Sequence, residues 1–174
     1  GVKKELDLSP VELKKDMEEV NAWVYKGINN GVYKCGFAKS QEAYSEAFGE
    51  LFEALDKCET ILAKNRYICG KKLTMSDIRL FVTIIRFDEV YAVYFKTNGK
   101  LIREYPNILG WTRELYQIPA IAKSVDMAQI KQHYYTSHPN YNLYGVVPLG
   151  PSGMKSSKGD VMAIFKKPHG RDTI

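Results

Sequence analysis

The sequence predicts an all-α fold, a helical bundle over residues 9–135 with a linker at 1–8 and a long extended tail at 136–174. Three observations support this prediction. Apolar residues recur at spacings of three and four over several long segments. Helix-capping patterns stand at the starts of those segments. No stretch of useful length alternates apolar and polar residues as a strand does.

Length and composition indicate one ordinary globular domain. The chain has 174 residues, of which 45% are apolar and 26% are charged, and these values suit a single folded unit. The net charge is +5, but the helical segments mix both signs, so nucleic-acid binding is not favoured. No 18-residue run lacks charge, which excludes a transmembrane helix. The N-terminus has neither an initiator Met nor a signal-peptide core, so we expect a processed or excised chain.

Cysteine and histidine usage argues against a disulfide scaffold and against a metal centre. The 3 cysteines are odd in number and form no CxxC pattern, which favours a reducing intracellular compartment, cytoplasm or an organelle. The 3 histidines are too poorly spaced to suggest metal ligands. We therefore expect no metal cofactor.

The first helix has a capping pattern at its start. Ser9 is the predicted N-cap, Pro10 the first helical residue and Glu12 the partner in a capping box. An apolar stripe runs from there to Val24. The run Asn29-Asn30-Gly31 predicts a break, so residues 27–39 are expected to form an irregular connection.

The second and third predicted helices form the centre of the bundle. The second runs from Ser40 to about Asn65 and places Cys58 on its apolar face as a buried structural thiol. The third begins with a capping box of Thr74 and Asp77 and continues to about Tyr94. It is apolar on nearly every side, which is typical of a central helix.

Three charged residues on this central helix need partners, because buried unpaired charge is costly. They are Arg79, Arg86 and Asp88. Structural ion pairs are the favoured interpretation, and a substrate role is the alternative.

Three shorter helices complete the predicted bundle. Pro106 and Pro119 each occupy a first helical position. A capping box of Asp126 and Gln129 opens the last helix, which reaches about Tyr135. Prolines and glycines then dominate the tail, and its segment 152–160 is expected to be mobile.

The residues alone indicate a helical bundle with an aromatic-rich cleft. The patterns GxGxxG, Walker A, HExxH and GxSxG are absent, so nucleotide-binding, zinc-protease and serine-hydrolase functions lose their support. The chain has 12 tyrosines, and several fall in two unusual segments, 29–38 and 133–138. Tyrosine combines an apolar ring with a hydroxyl that donates or accepts.

The same segments resemble a known family. The capped helix at Leu73-Thr74-Met75-Ser76-Asp77-Ile78-Arg79-Leu80 resembles that of the glutathione transferase C-terminal domain. Further segments resemble the glutathionyl-hydroquinone reductases, the Xi class of glutathione transferases. These segments are Asn30-Gly31-Val32-Tyr33-Lys34-Cys35-Gly36-Phe37-Ala38, Arg86-Phe87-Asp88, His133-Tyr134-Tyr135 with Ser137-His138, and Pro168-His169-Gly170-Arg171-Asp172. The resemblance covers about residue 8 to the end of the chain.

The resemblance implies a division of labour between two domains. In the family, a thioredoxin-like N-terminal domain binds the co-substrate glutathione and contains the catalytic Cys of a Cys-Pro-Trp motif, which this chain lacks. We therefore expect no catalytic residue here, and Cys35 is not the family nucleophile. Tyr33 and Tyr134 match the two family tyrosines that line the substrate site. Tyr135 and the neighbouring histidines match less clearly.

Two functions follow as alternatives. The first is the C-terminal domain of a glutathionyl-hydroquinone reductase, which supplies the pocket for a quinol and part of a homodimer surface. Such a domain alone is expected to be inactive. The alternative is a non-catalytic subunit of a larger complex, since helical domains of this kind also serve as assembly modules.

Overall fold

The computed structural model describes residues 6–150 and 162–174, and it confirms the all-α prediction. The α-helices are α1 (Lys14–Val24), α2 (Gly31–Gly36), α3 (Gln41–Leu62), α4 (Met75–Arg86), α5 (Ala92–Tyr94), α6 (Pro106–Tyr116), α7 (Pro119–Lys123) and α8 (Met127–Thr136). Short 3-10 turns lie at Val11–Leu13, Ile102–Glu104 and Ala163–Lys166. No strand occurs in the described residues, and none of the described helices has the length and apolar character needed to cross a bilayer.

The predicted cap at Ser9 is wrong. The first turn begins after Pro10, which is extended at φ −63° and ψ 136°. The backbone N–H of Ser9 donates to the carboxylate of Asp7 at 2.8 Å, so this local turn holds Ser9 outside the helix. Glu12 accepts from Lys72 Nζ at 2.6 Å in place of closing a capping box.

The irregular connection predicted at 27–39 is also wrong over most of its length. Helix α1 continues into a stretch of wider π-helical winding, Tyr25–Asn29, which we call the first π-turn, and α2 follows almost at once. Val32 and Cys35 of α2 are buried in the core, and α2 packs on α3. Burial of this face outweighs the weak helix propensity of the Asn-Asn-Gly run.

Helix α3 follows the prediction closely. The hydroxyl oxygen of Ser40 accepts from the backbone N–H of Ala43 at 3.1 Å, which confirms the N-cap. The helix ends at Leu62, slightly earlier than expected. Cys58 is fully buried, as its place on the apolar stripe predicts.

The start of α4 is a buried polar junction. The carboxylate of Asp77 accepts from the backbone N–H and the hydroxyl of Thr74, both at 2.9 Å. It also accepts from the backbone N–H of Ile68 at 2.8 Å and from Trp111 Nε1 at 3.0 Å. Asp77 is 0% exposed. The predicted capping position is confirmed, and the same carboxylate also joins α4 to α6 and to the preceding loop.

The central helix reaches Tyr94, as predicted, by way of α4, a second π-turn at Phe87–Tyr91, and α5. This helix is not buried on every side, because the apolar side chain of Val82 remains 43% exposed. The expected ion pair is present for Asp88, which accepts from Arg103 Nε at 3.0 Å. In the described part of the chain neither Arg79 nor Arg86 forms an ion pair, so the favoured interpretation fails for both.

The remaining helix starts are confirmed. Pro106 and Pro119 are the first residues of α6 and α7. The carboxylate of Asp126 accepts from the backbone N–H of Gln129 at 3.0 Å at the start of α8.

The tail packs on the bundle where the structure describes it. Phe165 is buried in the core cluster. Arg171 is only 2% exposed, and its Nη2 donates to the carbonyls of Leu62 at 3.0 Å, Asn65 at 2.7 Å and Arg66 at 2.9 Å. The guanidinium therefore satisfies carbonyls at the last residue of α3 and in the turn that follows it. The segment 152–160, expected to be mobile, lies outside the described residues.

Candidate functional site

A cleft of about 980 Å³ opens between the first π-turn, α2, α4 and α8. Polar, aromatic and aliphatic side chains line it together. They are Asn21, Tyr25, Asn29, Asn30, Tyr33, Arg79, Val82, Thr83, Arg86, Tyr91, Gln129, Ile130, His133 and Tyr134.

Three tyrosine hydroxyls form a chain of hydrogen bonds at one wall of the cleft. The hydroxyl of Tyr134 on α8 lies 2.6 Å from that of Tyr33 on α2. It also lies 2.8 Å from the hydroxyl of Tyr91, in the second π-turn. The structure thus brings Tyr33 and Tyr134 into one cleft although they are 101 residues apart in sequence.

Tyr91 is the site residue that the sequence does not reveal. It falls in the apolar stretch of the central helix, where an aromatic residue is typical of core packing. Its side chain is 2% exposed, and its ring stacks on Phe95 with centroids 5.5 Å apart. Only the meeting of the second π-turn with α8 places its hydroxyl beside Tyr134.

Both π-turns contribute residues to the cleft. The first supplies Tyr25 and Asn29, and the second supplies Tyr91. Wider winding changes the direction of the following side chains and is frequent at functional sites. Asn29 Nδ2 also donates to the carbonyl of Arg79 at 2.9 Å and to Thr83 Oγ1 at 2.6 Å. This amide ties the wall formed by the first π-turn to that formed by α4.

The absence of a side chain at Gly36 allows Phe95 to pack against Tyr33. A Cβ at Gly36 would lie 2.2 Å from the ring of Phe95. Without that atom, the Phe95 ring packs under Tyr33 with centroids 5.2 Å apart. Gly36 thus permits the close approach on which the position of Tyr33 depends.

The cleft is electropositive, and the phenols of Tyr91 and Tyr134 are protonated at neutral pH. Arg79 and Arg86 line it, and no carboxylate does among the described residues. Burial and, to a lesser extent, the hydrogen bond with Tyr33 raise the pKa of Tyr134 to about 12, although the hydrogen bond with Tyr91 and the charge of Arg86 lower it. Burial also raises the pKa of Tyr91. These hydroxyls therefore act through hydrogen bonds, not as bases.

The sequence and the fold are both similar to those of known proteins. Residues 41–114 match the family described as glutathione S-transferase, C-terminal domain. Glutathionyl-hydroquinone reductase YqjG of Escherichia coli is 43% identical over 166 residues, which are 95% of this chain and 48% of that protein. The chain contains a glutathione S-transferase C-terminal domain and is homologous to glutathionyl-hydroquinone reductases over most of its length. Its homologues include Xi-class enzymes, as the sequence segments above imply.

Solved structures agree with this assignment. The glutathione-bound structure of the Escherichia coli YqjG protein superposes with a TM-score of 0.88 at 43% identity, covering 99% of this chain and 53% of that one. Glutathione transferase Xi 1 of Trametes versicolor gives a TM-score of 0.81 at 50% identity, covering 83% of this chain and 50% of that one. This C-terminal domain spans about half the length of the relatives it matches.

The cysteines of the domain have raised thiol pKa values, whereas a nucleophilic cysteine needs a lowered one. Burial raises the pKa of the Cys35 thiol to about 11, and it also raises the pKa of Cys58 and of Cys69. A reactive thiol needs a lowered pKa. No group of three or more potential metal ligands occurs in the described ranges.

The weaker sequence candidates separate in space. The Tyr135 hydroxyl donates to the carbonyl of Val90 at 3.3 Å, inside the bundle and away from the cleft. His133 lines the cleft. His138 lies outside it, where its ring meets that of Phe37 with centroids 5.8 Å apart.

Proposed function

We propose that the domain supplies the hydroquinone pocket of a glutathionyl-hydroquinone reductase, with glutathione and the attacking thiol provided by residues outside this chain. The observation that supports this function best is the chain of tyrosine hydroxyls in an aromatic cleft. Hydroxyls at 2.6 and 2.8 Å from each other can extend their hydrogen bonds to a ring oxygen. The aromatic wall can pack against the ring itself.

The chemistry of this reaction class explains why phenol donors suit the pocket. In the keto tautomer of the glutathionyl-hydroquinone, a proton has moved from a ring hydroxyl to the carbon that bears sulfur. A thiolate attacks that sulfur, a disulfide forms, and the electron pair of the broken carbon–sulfur bond passes through the ring to the carbonyl oxygen. The ring becomes aromatic as a phenolate, which then gains a proton. Hydrogen bonds from Tyr33 or Tyr134 to that oxygen would stabilise the developing charge.

Titration of the chain with methylhydroquinone under nitrogen tests the pocket. We expect Tyr33→Phe and Tyr134→Phe to lower the affinity about five- to tenfold each, the effect of about one hydrogen bond. Tyr44→Phe is the matched control, because its hydroxyl donates to the carbonyl of Lys96 at 2.7 Å and does not line the cleft. Equal affinities for all variants would overturn the proposal.

A second role, assembly with other chains, has separate support. Leu143, Tyr144 and Val146 are 72%, 86% and 66% exposed in the described tail, and clustered exposed apolar residues mark interaction surfaces. These residues could form the contact surface of either a homodimer or a larger complex. Light scattering of the chain and of a Leu143→Ser/Tyr144→Ser variant tests this role, which predicts a larger mass for the wild type only.

The three free thiols support a reducing compartment for either role.

A further inference from the structure

The chain of tyrosines can be ordered in two directions. Each phenol has one proton, and Tyr134 lies between the other two hydroxyls. In one direction Tyr91 donates to Tyr134 and Tyr134 donates to Tyr33. In the other, Tyr33 donates to Tyr134 and Tyr134 donates to Tyr91.

The burial of Tyr91 distinguishes these directions. Its side chain is 2% exposed. Its hydroxyl lies 2.8 Å from that of Tyr134, and Tyr33 is a second, weaker hydrogen-bond neighbour of the same hydroxyl. If Tyr91 accepted from Tyr134, its own proton would lose its acceptor at 2.8 Å and keep only the weaker neighbour Tyr33, and a poorly paired buried donor is disfavoured. Tyr33 lines the cleft and is only half-buried, so its proton can reach a ligand or water.

We propose that Tyr91 is a positioning residue that directs the proton of Tyr33 into the cleft, so that the pocket favours a ligand oxygen that accepts, such as a phenolate. This inference rests on the proposed function of the cleft. Arg86, whose charge acts on Tyr134, adds a positive field for the same oxygen. The hydrogen bond from Tyr91 also lowers the pKa of Tyr134, as a donor to that oxygen would.

A pair of ligands of similar size provides the test. 4-Nitrophenol at mildly alkaline pH is ionised and offers an oxyanion, while nitrobenzene has the same ring without one. Tyrosine phenols stay protonated under these conditions. We measure the dissociation constants of both for the wild type, for Tyr91→Phe and for Tyr44→Phe.

We expect Tyr91→Phe to weaken nitrophenolate binding about fivefold and to leave nitrobenzene binding unchanged. The absorbance maximum of bound nitrophenolate should also shift toward longer wavelength as the donated hydrogen bond weakens. Tyr44→Phe should match the wild type with both ligands. The substitution at Tyr91 retains the ring that stacks on Phe95 at 5.5 Å, so a general packing defect would weaken both ligands alike and overturn the inference.

A double-mutant cycle tests whether Tyr91 acts through Tyr134. In a Tyr134→Phe background, Tyr91→Phe should have no further effect on nitrophenolate binding. A full effect in that background would contradict the positioning role. If Tyr33→Phe and Tyr134→Phe weaken nitrophenolate binding but Tyr91→Phe does not, only the inference on Tyr91 fails. If nitrophenolate does not bind the wild type, or if all variants bind it equally, the proposed pocket fails as well.

Discussion

Replacing Asp77 by alanine is expected to destabilise the domain far more than removing an ordinary helix cap. The carboxylate accepts four hydrogen bonds, from Ile68, Trp111 and twice from Thr74. An exposed cap contributes about 1 kcal/mol. Each buried donor left without a partner costs about 1–3 kcal/mol. With Thr74 able to turn its hydroxyl elsewhere, we expect a loss of about 4 kcal/mol for Asp77→Ala.

Urea melts followed by circular dichroism measure this loss. The matched control is Ser40→Ala, which removes an exposed N-cap whose hydroxyl accepts from Ala43 at 3.1 Å, at a cost of about 1 kcal/mol. Thermal melts should show Asp77→Ala lower than wild type by about 8–16 °C, since 1 kcal/mol shifts Tm by about 2–4 °C at this size. Equal losses of unfolding free energy for Asp77→Ala and Ser40→Ala would refute the reasoning that burial makes the loss of a cap more destabilising.

The effect of pH provides an independent test. Burial raises the pKa of Asp77 above its ordinary value, in spite of the hydrogen bonds that lower it. A raised folded-state pKa contributes stability that is present below the unfolded pKa and is lost as pH rises through the folded one. The stability advantage of wild type over Asp77→Asn should therefore be largest in acid and shrink toward neutral pH. An advantage that grows from acid to neutral pH would show that the hydrogen bonds outweigh burial.

Three further perturbations test other parts of the structure. Arg171→Ala should cost about 3–5 kcal/mol in urea melts. Arg171→Lys should rescue only part of this loss, because a single ammonium cannot reproduce the planar fork in which Nη2 donates to three carbonyls and Nη1 to that of Asn107. Gly36→Ala should cost about 1–3 kcal/mol by displacing the Phe95 ring, whereas Gly49→Ala, which meets no atom within 4 Å, should be neutral or stabilising. Chromatographic assay of glutathione-dependent hydroquinone release should detect no turnover by the chain, and Cys35→Ser should be the same; turnover that Cys35→Ser abolishes would contradict the raised pKa of this thiol.

Local chemistry made many helix starts predictable. Ser40, Pro119 and Asp126 act within one turn of their own backbone, so residue type and spacing are sufficient. Ser9 satisfies the same pattern but is not an N-cap. The carboxylate of Asp7 accepts from the backbone N–H of Ser9, the group that Glu12 would bind in a capping box. The prediction of an irregular connection at 27–39 is wrong for another reason. The helical form of this segment depends on packing against α3, which no pattern within the segment can show.

The site was predictable in part only. Tyr33 and Tyr134 were found through segments that resemble a family, and the structure places their hydroxyls in contact. Tyr91 was missed because a buried tyrosine on an apolar helix has the same local pattern whether or not its hydroxyl meets another. Arg79 was expected to be neutralised by a partner. It instead faces a cleft that only the assembled first π-turn, α2, α4 and α8 define.

The contacts of Arg171 also bear on the order in which this domain can acquire its final packing during synthesis. Its guanidinium meets the carbonyl of Leu62, a residue 109 positions earlier. The C-terminal end of α3 therefore waits for those donors until nearly all the intervening chain has been translated. Contacts of such sequence separation form late and slowly. A nascent chain would meanwhile expose these carbonyls, and a ribosome-bound fragment ending before residue 171 should be more sensitive to protease at 62–66 than the released chain.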